Sequence, residues 1–247
     1  MKQIKITSPK NPDIIHIRKL LDDRRYRYEC KQYVVEGINQ LDNLAVLKKM
    51  YVREGVEIPA VNCDAVFILP EAVFKTISST ENSQGIITIA DLKLLSINEI
   101  NADEHYVLLD KIQDPGNIGT IMRNACAFGF KGIIVTPGTV DPFSPKAVRA
   151  AASAVNLIDI ISIEHINQLG KFFMVTADMK GKDIAGYNWP KAFILAFGNE
   201  GAGISDELKK IAKDSVSIPM SGKIESLNVA ASAAIIMYSS TSNKRIP

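Results

Sequence analysis

Along the first ninety residues, apolar residues recur at both helical and strand spacing, which predicts a small α/β module. Between residues 14 and 21 they lie at helical spacing, with basic residues between and beyond them, which predicts an amphipathic helix with a basic outer face. β-Branched runs bounded by Gly predict short strands. The other predicted elements are strands at 33–37 and 84–90, a strand and turn at 51–56, and helices at 38–50 and 70–78.

From residue 105 onward the pattern becomes a regular alternation of apolar strands and helices. Strands are predicted at 106–110, 132–136, 157–161, 172–176, 193–197 and 216–219, and helices at 117–128, 145–154, 164–169, 205–213 and 227–239. This alternation predicts a parallel sheet covered on both faces. The predicted domains are therefore 1–92 and 105–247, joined by a more charged linker at 93–104.

Composition narrows the class of protein. An apolar fraction of 47% and a charged fraction of 23% are those of a soluble globular protein. The longest apolar stretch, Val229 to Tyr238, has about half the length of a membrane span, and the first residues lack an apolar core of signal-peptide length. Three widely spaced Cys and three scattered His fit neither a disulfide framework nor a metal site. We expect a cytoplasmic protein without a bound metal.

Charge is distributed unevenly along the chain. Met1 to Lys31 holds nine Lys and Arg against four acidic residues, whereas Glu54 to His105 holds two against nine. A basic cluster confined to one end is typical of a surface that contacts a polyanion, and equally of a solvated helix face without a partner.

Three segments place Gly, Asn, Ser or an isolated charge directly after an apolar run, where strand ends build ligand sites in α/β domains. In the first, DKIQDPGNIGTIMRNACAFGF (110–130), Asn117 and Gly119 open a helix whose free N–H groups suit an anionic or carbonyl ligand. Arg123 follows among apolar residues. It either serves the site or reaches solvent or a nearby Asp.

The second segment, LAFGNEGAGIS (195–205), ends a predicted buried strand with three glycines, which permit positive φ and close approach of a ligand to the main chain. Glu200 is its only carboxylate. The alternative is a tight turn before a helix capped by Ser205 or Asp206.

The third segment, IPMSGKIESLNVAASAAIIMY (218–238), combines apolar Ile218, Met220 and Leu227 with free backbone groups, which suits a purine ring. Ser226 either serves the site or caps the alanine-rich helix that follows.

Together the three segments resemble the signature motifs of SpoU-type RNA ribose methyltransferases of the SPOUT superfamily. The matching positions are Asn117, Gly119 and Arg123; Gly198, Asn199, Glu200, Gly201 and Gly203; and Ile218, Pro219, Met220, Gly222, Ser226, Leu227 and Asn228. The N-terminal stretch is similar to the L30e-like RNA-binding module that often precedes this domain. The resemblance implies a C-terminal deep trefoil knot, S-adenosylmethionine as cofactor, a homodimer with the last helix in its interface, and large-subunit (23S) ribosomal RNA as substrate.

The resemblance also implies residue roles. The residues expected to bind the cofactor are Thr176, Ala177, Gly198, Asn199, Glu200, Gly201, Ile218, Met220, Ser226 and Leu227. The residues expected to take part in catalysis are Arg123, Asn117, Ser226, Asn228 and Glu200. RNA contacts are expected from the basic cluster: Arg18, Lys19, Arg24, Arg25, Arg27 and Lys31.

Methyl transfer to a ribose 2′-hydroxyl requires alignment of the attacking oxygen and relief of its proton. A cation at Arg123 would stabilise the developing alkoxide, whereas a role as base requires loss of a proton that a guanidinium holds very tightly.

Four alternatives remain open from the residues. They are a transfer RNA ribose methyltransferase, a base methyltransferase of the same superfamily, a non-catalytic L30e-type RNA-binding protein, and a nicotinamide oxidoreductase. The last is disfavoured because no GxGxxG follows the first strand of either module.

Overall fold

A computed structural model describes residues 2–41 and 47–241. Eleven strands are found within these residues: β1 Lys2–Lys5, β2 Gln32–Glu36, β3 Leu47–Arg53, β4 Cys63–Leu69, β5 Ile86–Asp91, β6 Tyr106–Leu109, β7 Gly132–Val135, β8 Asp159–Ser162, β9 Met174–Asp183, β10 Ile194–Phe197 and β11 Asp214–Ser217. The α-helices there are α1 Pro12–Asp22, α2 Arg24–Cys30, α3 Glu71–Phe74, α4 Pro115–Ala127, α5 Pro145–Ala151, α6 Asp206–Ile211 and α7 Val229–Thr241.

The chain forms two compact units that differ from the predicted domains in two segments. Unit 1 comprises Met1–Lys93 and Asp141–Asn156, and unit 2 comprises Leu94–Val140 and Leu157–Pro247. Asp141–Asn156, with α5, thus belongs to unit 1 and not to the predicted second domain. The predicted linker after Lys93 is part of unit 2, because Leu95 bridges to Ile161 and packs on that unit's core.

Unit 1 is built on a mixed five-stranded sheet with the order β1-β4-β3-β5-β2. β4 pairs in parallel with β1 and β3, whereas β5 pairs antiparallel with β2 and β3. The amphipathic pattern at residues 14–21 forms α1, which is capped by the Asn11 side chain and buries Ile14, Ile17 and Leu20. The predicted module of helices and strands is confirmed in outline.

The helix predicted at 38–50 is wrong. A short 3₁₀ turn occupies Ile38–Gln40, β3 begins at Leu47, and residues 42–46 lie outside the described part of the chain. β3 is an interior strand between β4 and β5, and it buries Met50, Tyr51 and Val52 together. Burial on both faces removes the period-2 alternation that marks a half-exposed strand, so the local pattern does not distinguish this strand from a helix. β1 and β4 were not predicted.

Arg27 is buried, so the prediction that it contacts RNA is corrected. It is 4% exposed, and its Nε and Nη2 donate to Asp141 Oδ2 at 2.9 and 2.7 Å. Nη1 donates to the carbonyl of Leu20, and Tyr28 donates to Asp141 Oδ1. A guanidinium with all these partners inside unit 1 has no surface left for a phosphate.

Unit 2 confirms the predicted parallel sheet. Its six strands all run parallel in the order β11-β9-β10-β6-β7-β8. β6, β7 and β10 are buried along their whole length, as expected for strands covered on both faces. β9 runs on to Asp183, beyond its predicted end, and the helix predicted at 164–169 is a 3₁₀ turn at Ile166–Leu169. Among the described residues, none of the helices has the length and apolarity to cross a bilayer.

Candidate functional site

A cavity of about 630 Å³ opens in unit 2 where β10 and β11 end and where β9 leaves its pairing with β10. Nearly all residues predicted to bind a cofactor line it: Ala177, Gly198, Asn199, Glu200, Gly201, Ile218, Met220, Ser226 and Leu227. Asn228 lines it as well. The predicted member outside this lining is Thr176, whose buried side chain donates within the sheet to the carbonyl of Asp214.

The turn after β10 is closed by its own main chain. Asn199 and Gly203 exchange two backbone hydrogen bonds of 3.0 and 2.9 Å, and the Asn199 Oδ1 atom accepts from the amides of Gly201 and Ala202. Gly203 has a φ of +70°. A Cβ on Gly198 would lie 2.1 Å from the carbonyl carbon of Gly203, so only glycine fits.

One chain of hydrogen bonds joins the three predicted segments. Asn117 Nδ2 donates to Glu200 Oε1 at 2.9 Å, and Asn228 Nδ2 donates to Asn117 Oδ1 at 3.0 Å. The α4 amino end, the turn after β10 and the α7 amino end therefore meet at one place. We call Glu200, Asn117 and Asn228 the polar triad.

Glu200 is held as an ionised acceptor. Partial burial raises the pKa of its carboxyl group, but hydrogen bonds from Asn117 and from the main-chain amides of Gln113 and Asp114 outweigh burial, so the pKa lies below its ordinary value. A carboxylate with a lowered pKa and three donors is a weak base. Its contacts orient the start of α4 against the turn after β10.

The amino end of α7 is capped by Asn228. The Oδ1 atom of Asn228 accepts from the main-chain amides of Ala230 and Ala231 at 2.9 and 3.2 Å. The alternative reading of Ser226 as the cap of this helix is therefore wrong, and Ser226 lines the cavity instead. On α4 the corresponding cap is Asp114.

Arg123 lies on α4 beyond Asn117 and is exposed. It makes no hydrogen bond or ion pair with the described residues and is absent from the cavity lining. The alternative in which Arg123 pairs with Asp110 or Asp114 is therefore wrong, and the alternative in which it reaches solvent agrees with its exposure. Unit 2 thus presents a cation without a partner on the outer side of the helix that carries Asn117.

The sequence reasoning missed Asp178 and Met179, which also line the cavity. They belong to the part of β9 between its pairings with β10 and with the end of β11. The polar run ADMKG directly after the predicted strand 172–176 carried the same strand-end signal as the three motifs.

In unit 1, the remaining predicted RNA contacts reach the surface. Lys19, Arg24, Arg25 and Lys31 are exposed and Arg18 is half-buried. The Lys19 ammonium lies 5.3 Å from the Tyr26 ring, and the Arg24 guanidinium lies 5.4 Å from the Tyr28 ring.

Comparisons with known proteins agree on one family. The SpoU rRNA Methylase family matches residues 104–238. A 23S rRNA (guanosine(2553)-2'-O)-methyltransferase, RlmP, of Bacillus subtilis is 28% identical over 96% of this chain and 98% of its own.

Solved structures give the same result. An AdoMet-bound rRNA methyltransferase from Sinorhizobium meliloti is 30% identical, with a TM-score of 0.84 over 98% of each chain. The SpoU methyltransferase AviRb from Streptomyces viridochromogenes, in complex with AdoMet, has a TM-score of 0.85 over 95% of this chain and 98% of its own. At 21% identity, the likeness to AviRb shows the fold alone.

We expect Gly198→Ala to lower the free energy of unfolding by about 2 kcal/mol, because the new methyl group forces the Asn199–Gly203 bridge apart. Gly201→Ala is the matched control: its Cβ would meet only Asn199 Oδ1, at 3.7 Å, and should change stability by less than about 0.5 kcal/mol. Urea titration measures both. Equal stability of the two variants would show that the turn tolerates a side chain at both positions.

Proposed function

Because the chain belongs to the SpoU rRNA methylase family, we propose that it transfers a methyl group from S-adenosylmethionine to a ribose 2′-hydroxyl of 23S ribosomal RNA. The observation that carries the proposal is the polar triad at the edge of the cavity, which joins all three motif segments. The ribosomal substrate is supported by RlmP, which is similar along nearly its whole length. A substrate in the ribosome fits a cytoplasmic location.

The cavity fits S-adenosylmethionine. Its volume lies in the range of small-molecule sites, and its wall combines apolar Ile218, Met220 and Leu227 with the turn at Gly198. None of the hydrogen bonds within the described residues uses the main-chain N–H of Met220 or Leu227, so both are available to an adenine edge. These residues would hold the cofactor, with Asn199 and Gly201 shaping the turn.

When bound, the cofactor supplies a methyl group on a sulfonium centre, whose leaving group departs neutral. The protein's own task is to align the ribose and to stabilise its oxygen as the hydroxyl proton passes to solvent water. Asn117 and Asn228 lie next to the cavity with their amides already oriented by Glu200 and by the α7 amino end. They are suited to position the ribose, and Ser226 in the lining is suited to donate to it.

We assign Arg123 to stabilisation of the developing alkoxide. Its guanidinium keeps its proton, so it supplies a fixed positive charge. It lies outside the lining of the cavity within a single chain, and a second copy packed on the outer side of α4 would bring this cation into a shared site.

The homodimer is supported by α7, which packs on α4 and carries no charged residue. Ile235 and Tyr238 are 40% and 60% exposed, and Tyr238 contacts the ring of Phe128 edge-on. The exposed surface holds Ala231 and Ala234 beside them, which permits close approach of a second helix. A knotted C-terminal segment and an L30e-like identity for unit 1 complete the proposal, supported by the family and by the α/β architecture of each unit.

We expect Arg123→Ala to reduce methylation at least 100-fold, because a charge at the reacting oxygen is lost, with cofactor affinity changed less than twofold. Incorporation of labelled methyl groups into ribosomal RNA measures the first, and calorimetric titration with S-adenosylmethionine the second. Lys171→Ala, an exposed cation elsewhere in unit 2, is the control. Loss of cofactor binding in Arg123→Ala would refute the assigned role, and failure of the unaltered protein to bind the cofactor would favour a non-catalytic RNA-binding protein.

We expect Tyr238→Glu to convert the dimer to a monomer, because a buried carboxylate without a partner opposes association. Sedimentation equilibrium of this variant measures the molecular mass in solution. Leu157→Glu, a change of an apolar residue that is 53% exposed, is the matched control and should remain dimeric. A Tyr238→Glu protein that stays dimeric would exclude α7 from the interface.

In the basic cluster of unit 1, some arginines are expected to contact RNA and one to stabilise the fold. Two variants distinguish these roles. We expect Arg24→Ala with Arg25→Ala to weaken RNA binding without loss of stability, because both are exposed. Arg27→Ala should instead lower the free energy of unfolding by about 3–5 kcal/mol, because it leaves Asp141 buried and unpaired. Filter binding and urea titration measure the two effects. Unchanged RNA affinity in the double variant would exclude this surface as an RNA contact.

A further inference from the structure

A second cleft of about 490 Å³ lies in unit 2 at the carboxyl ends of β6, β7 and β8. It shares the sheet edge with the cofactor cavity, which lies beyond β10 on the other side of β6. Charged, polar and apolar residues line it together: Lys111, Thr136, Pro137, Glu164, His165, Ile166, Asn167, Glu207, Lys210 and Ile211. Lys111 lies in the first of the three segments, but none of the residues that line this cleft is among the positions that match the family motifs.

Lys111 connects this second cleft to the turn after β10. Its φ is +58°, a left-handed conformation that costs a lysine about 1 kcal/mol relative to glycine. Its carbonyl accepts from Asn199 Nδ2 at 2.9 Å, and its amide donates to the hydroxyl oxygens of Thr136 and Thr139. The backbone is therefore fixed from both sides. A strained conformation of this kind persists because the surrounding contacts fix it, so the position of the Lys111 side chain at the cleft is set by the fold.

The Lys111 side chain is free to act. It is exposed and forms no ion pair with the described residues. Its backbone contact with Asn199 lies one residue from Glu200 of the polar triad. An ammonium at this position is suited to an anion that lies just beyond the methylated ribose.

Positive and negative side chains are equal in number in the second cleft if His165 is neutral, and this balance limits the kind of ligand that the cleft can bind. Lys111 and Lys210 are opposed by Glu164 and Glu207, so a polyanion as a whole gains little there. A single nucleotide has the complementary character, with one phosphate and a base edge. Carboxylate oxygens accept from the exocyclic amino groups of bases, and uracil has none. The cleft volume is in the range of small-molecule sites.

We propose that Lys111 and the second cleft bind the RNA nucleotide that flanks the methylated one, with its phosphate on Lys111 and an amino-bearing base against Glu164 and Glu207. This inference rests on the proposed function and adds a recognition site to it. Lys111 is a positioning residue, because it binds the RNA strand next to the ribose that is methylated.

The ammonium is tested with Lys111→Gln in the full chain. We expect KM for ribosomal RNA to rise about tenfold while kcat and the affinity for S-adenosylmethionine stay unchanged. The slope of log affinity against log salt, measured with a 12-nucleotide oligocytidylate, should fall by about 0.7, the value for one single-stranded phosphate contact. Lys111→Arg should restore both values.

Two further variants separate the charge from the backbone. Lys111→Gly relieves the positive φ, so it should remain folded and still show the raised KM. Lys213→Gln is the matched control, because Lys213 is exposed in the same unit and directly precedes β11 at the opposite end of the strands. If Lys111→Gln matches the unaltered protein in KM and salt slope, the phosphate contact is overturned.

The base contact is tested by comparing oligocytidylate with oligouridylate. The unaltered protein should bind the former several-fold more tightly, and Glu164→Gln with Glu207→Gln should reduce that preference. An unchanged preference in the double variant would overturn the base contact. If the unaltered protein transfers no methyl group to ribosomal RNA, the proposed function itself fails. That outcome is distinct from failure of the second-cleft proposal, which is judged by comparing the Lys111 variants with the unaltered protein.

Discussion

The amide of Asn117 is the contact on which the arrangement of the site depends. An amide both donates and accepts, so this one side chain gives a hydrogen bond to Glu200 and receives one from Asn228. A carboxylate at position 117 would repel Glu200, and an apolar residue would leave both partners unsatisfied. The Asn117 amide therefore joins three turns that are distant in the sequence. Neither a charged nor an apolar side chain at this position would replace it.

Around that contact, the main chain itself forms most of the cavity edge. The turn at Gly198 is compact because Asn199 satisfies the amides that the turn exposes, and because the glycine leaves no side chain between neighbouring backbone segments. Asn199 also accounts for the fixed backbone of Lys111, since its amide nitrogen donates to that carbonyl. The cofactor cavity and the second cleft are thereby linked through one turn, and both open at the same edge of the parallel sheet.

Positive charge serves different purposes in the two units. Arg27 has an Asp141 partner that lies more than a hundred residues away in the chain, and the pair is buried in unit 1. Its neighbours Arg24 and Arg25 have the same residue type and lie on the same helix, yet they remain exposed. Arg123 and Lys111 in unit 2 form no ion pair with the described residues, which leaves each charge available to a single anionic group of a ligand.

The sequence by itself determined the class of fold in unit 2 and the groups of residues at its site. Alternating apolar runs specify a covered parallel sheet, and glycine, asparagine and isolated charges after those runs mark the strand ends at which the cavity opens. Local pattern failed at β3, because a strand buried on both faces has no period-2 signal.

Only the tertiary structure decided which cations are free, which side chain caps α7, and where Asp141–Asn156 packs. Each of these depends on a partner distant in sequence, and a side chain's spacing carries no information about such a partner. The left-handed backbone of Lys111 was also decided only by the tertiary structure, because two threonines and an asparagine from other turns hold it there.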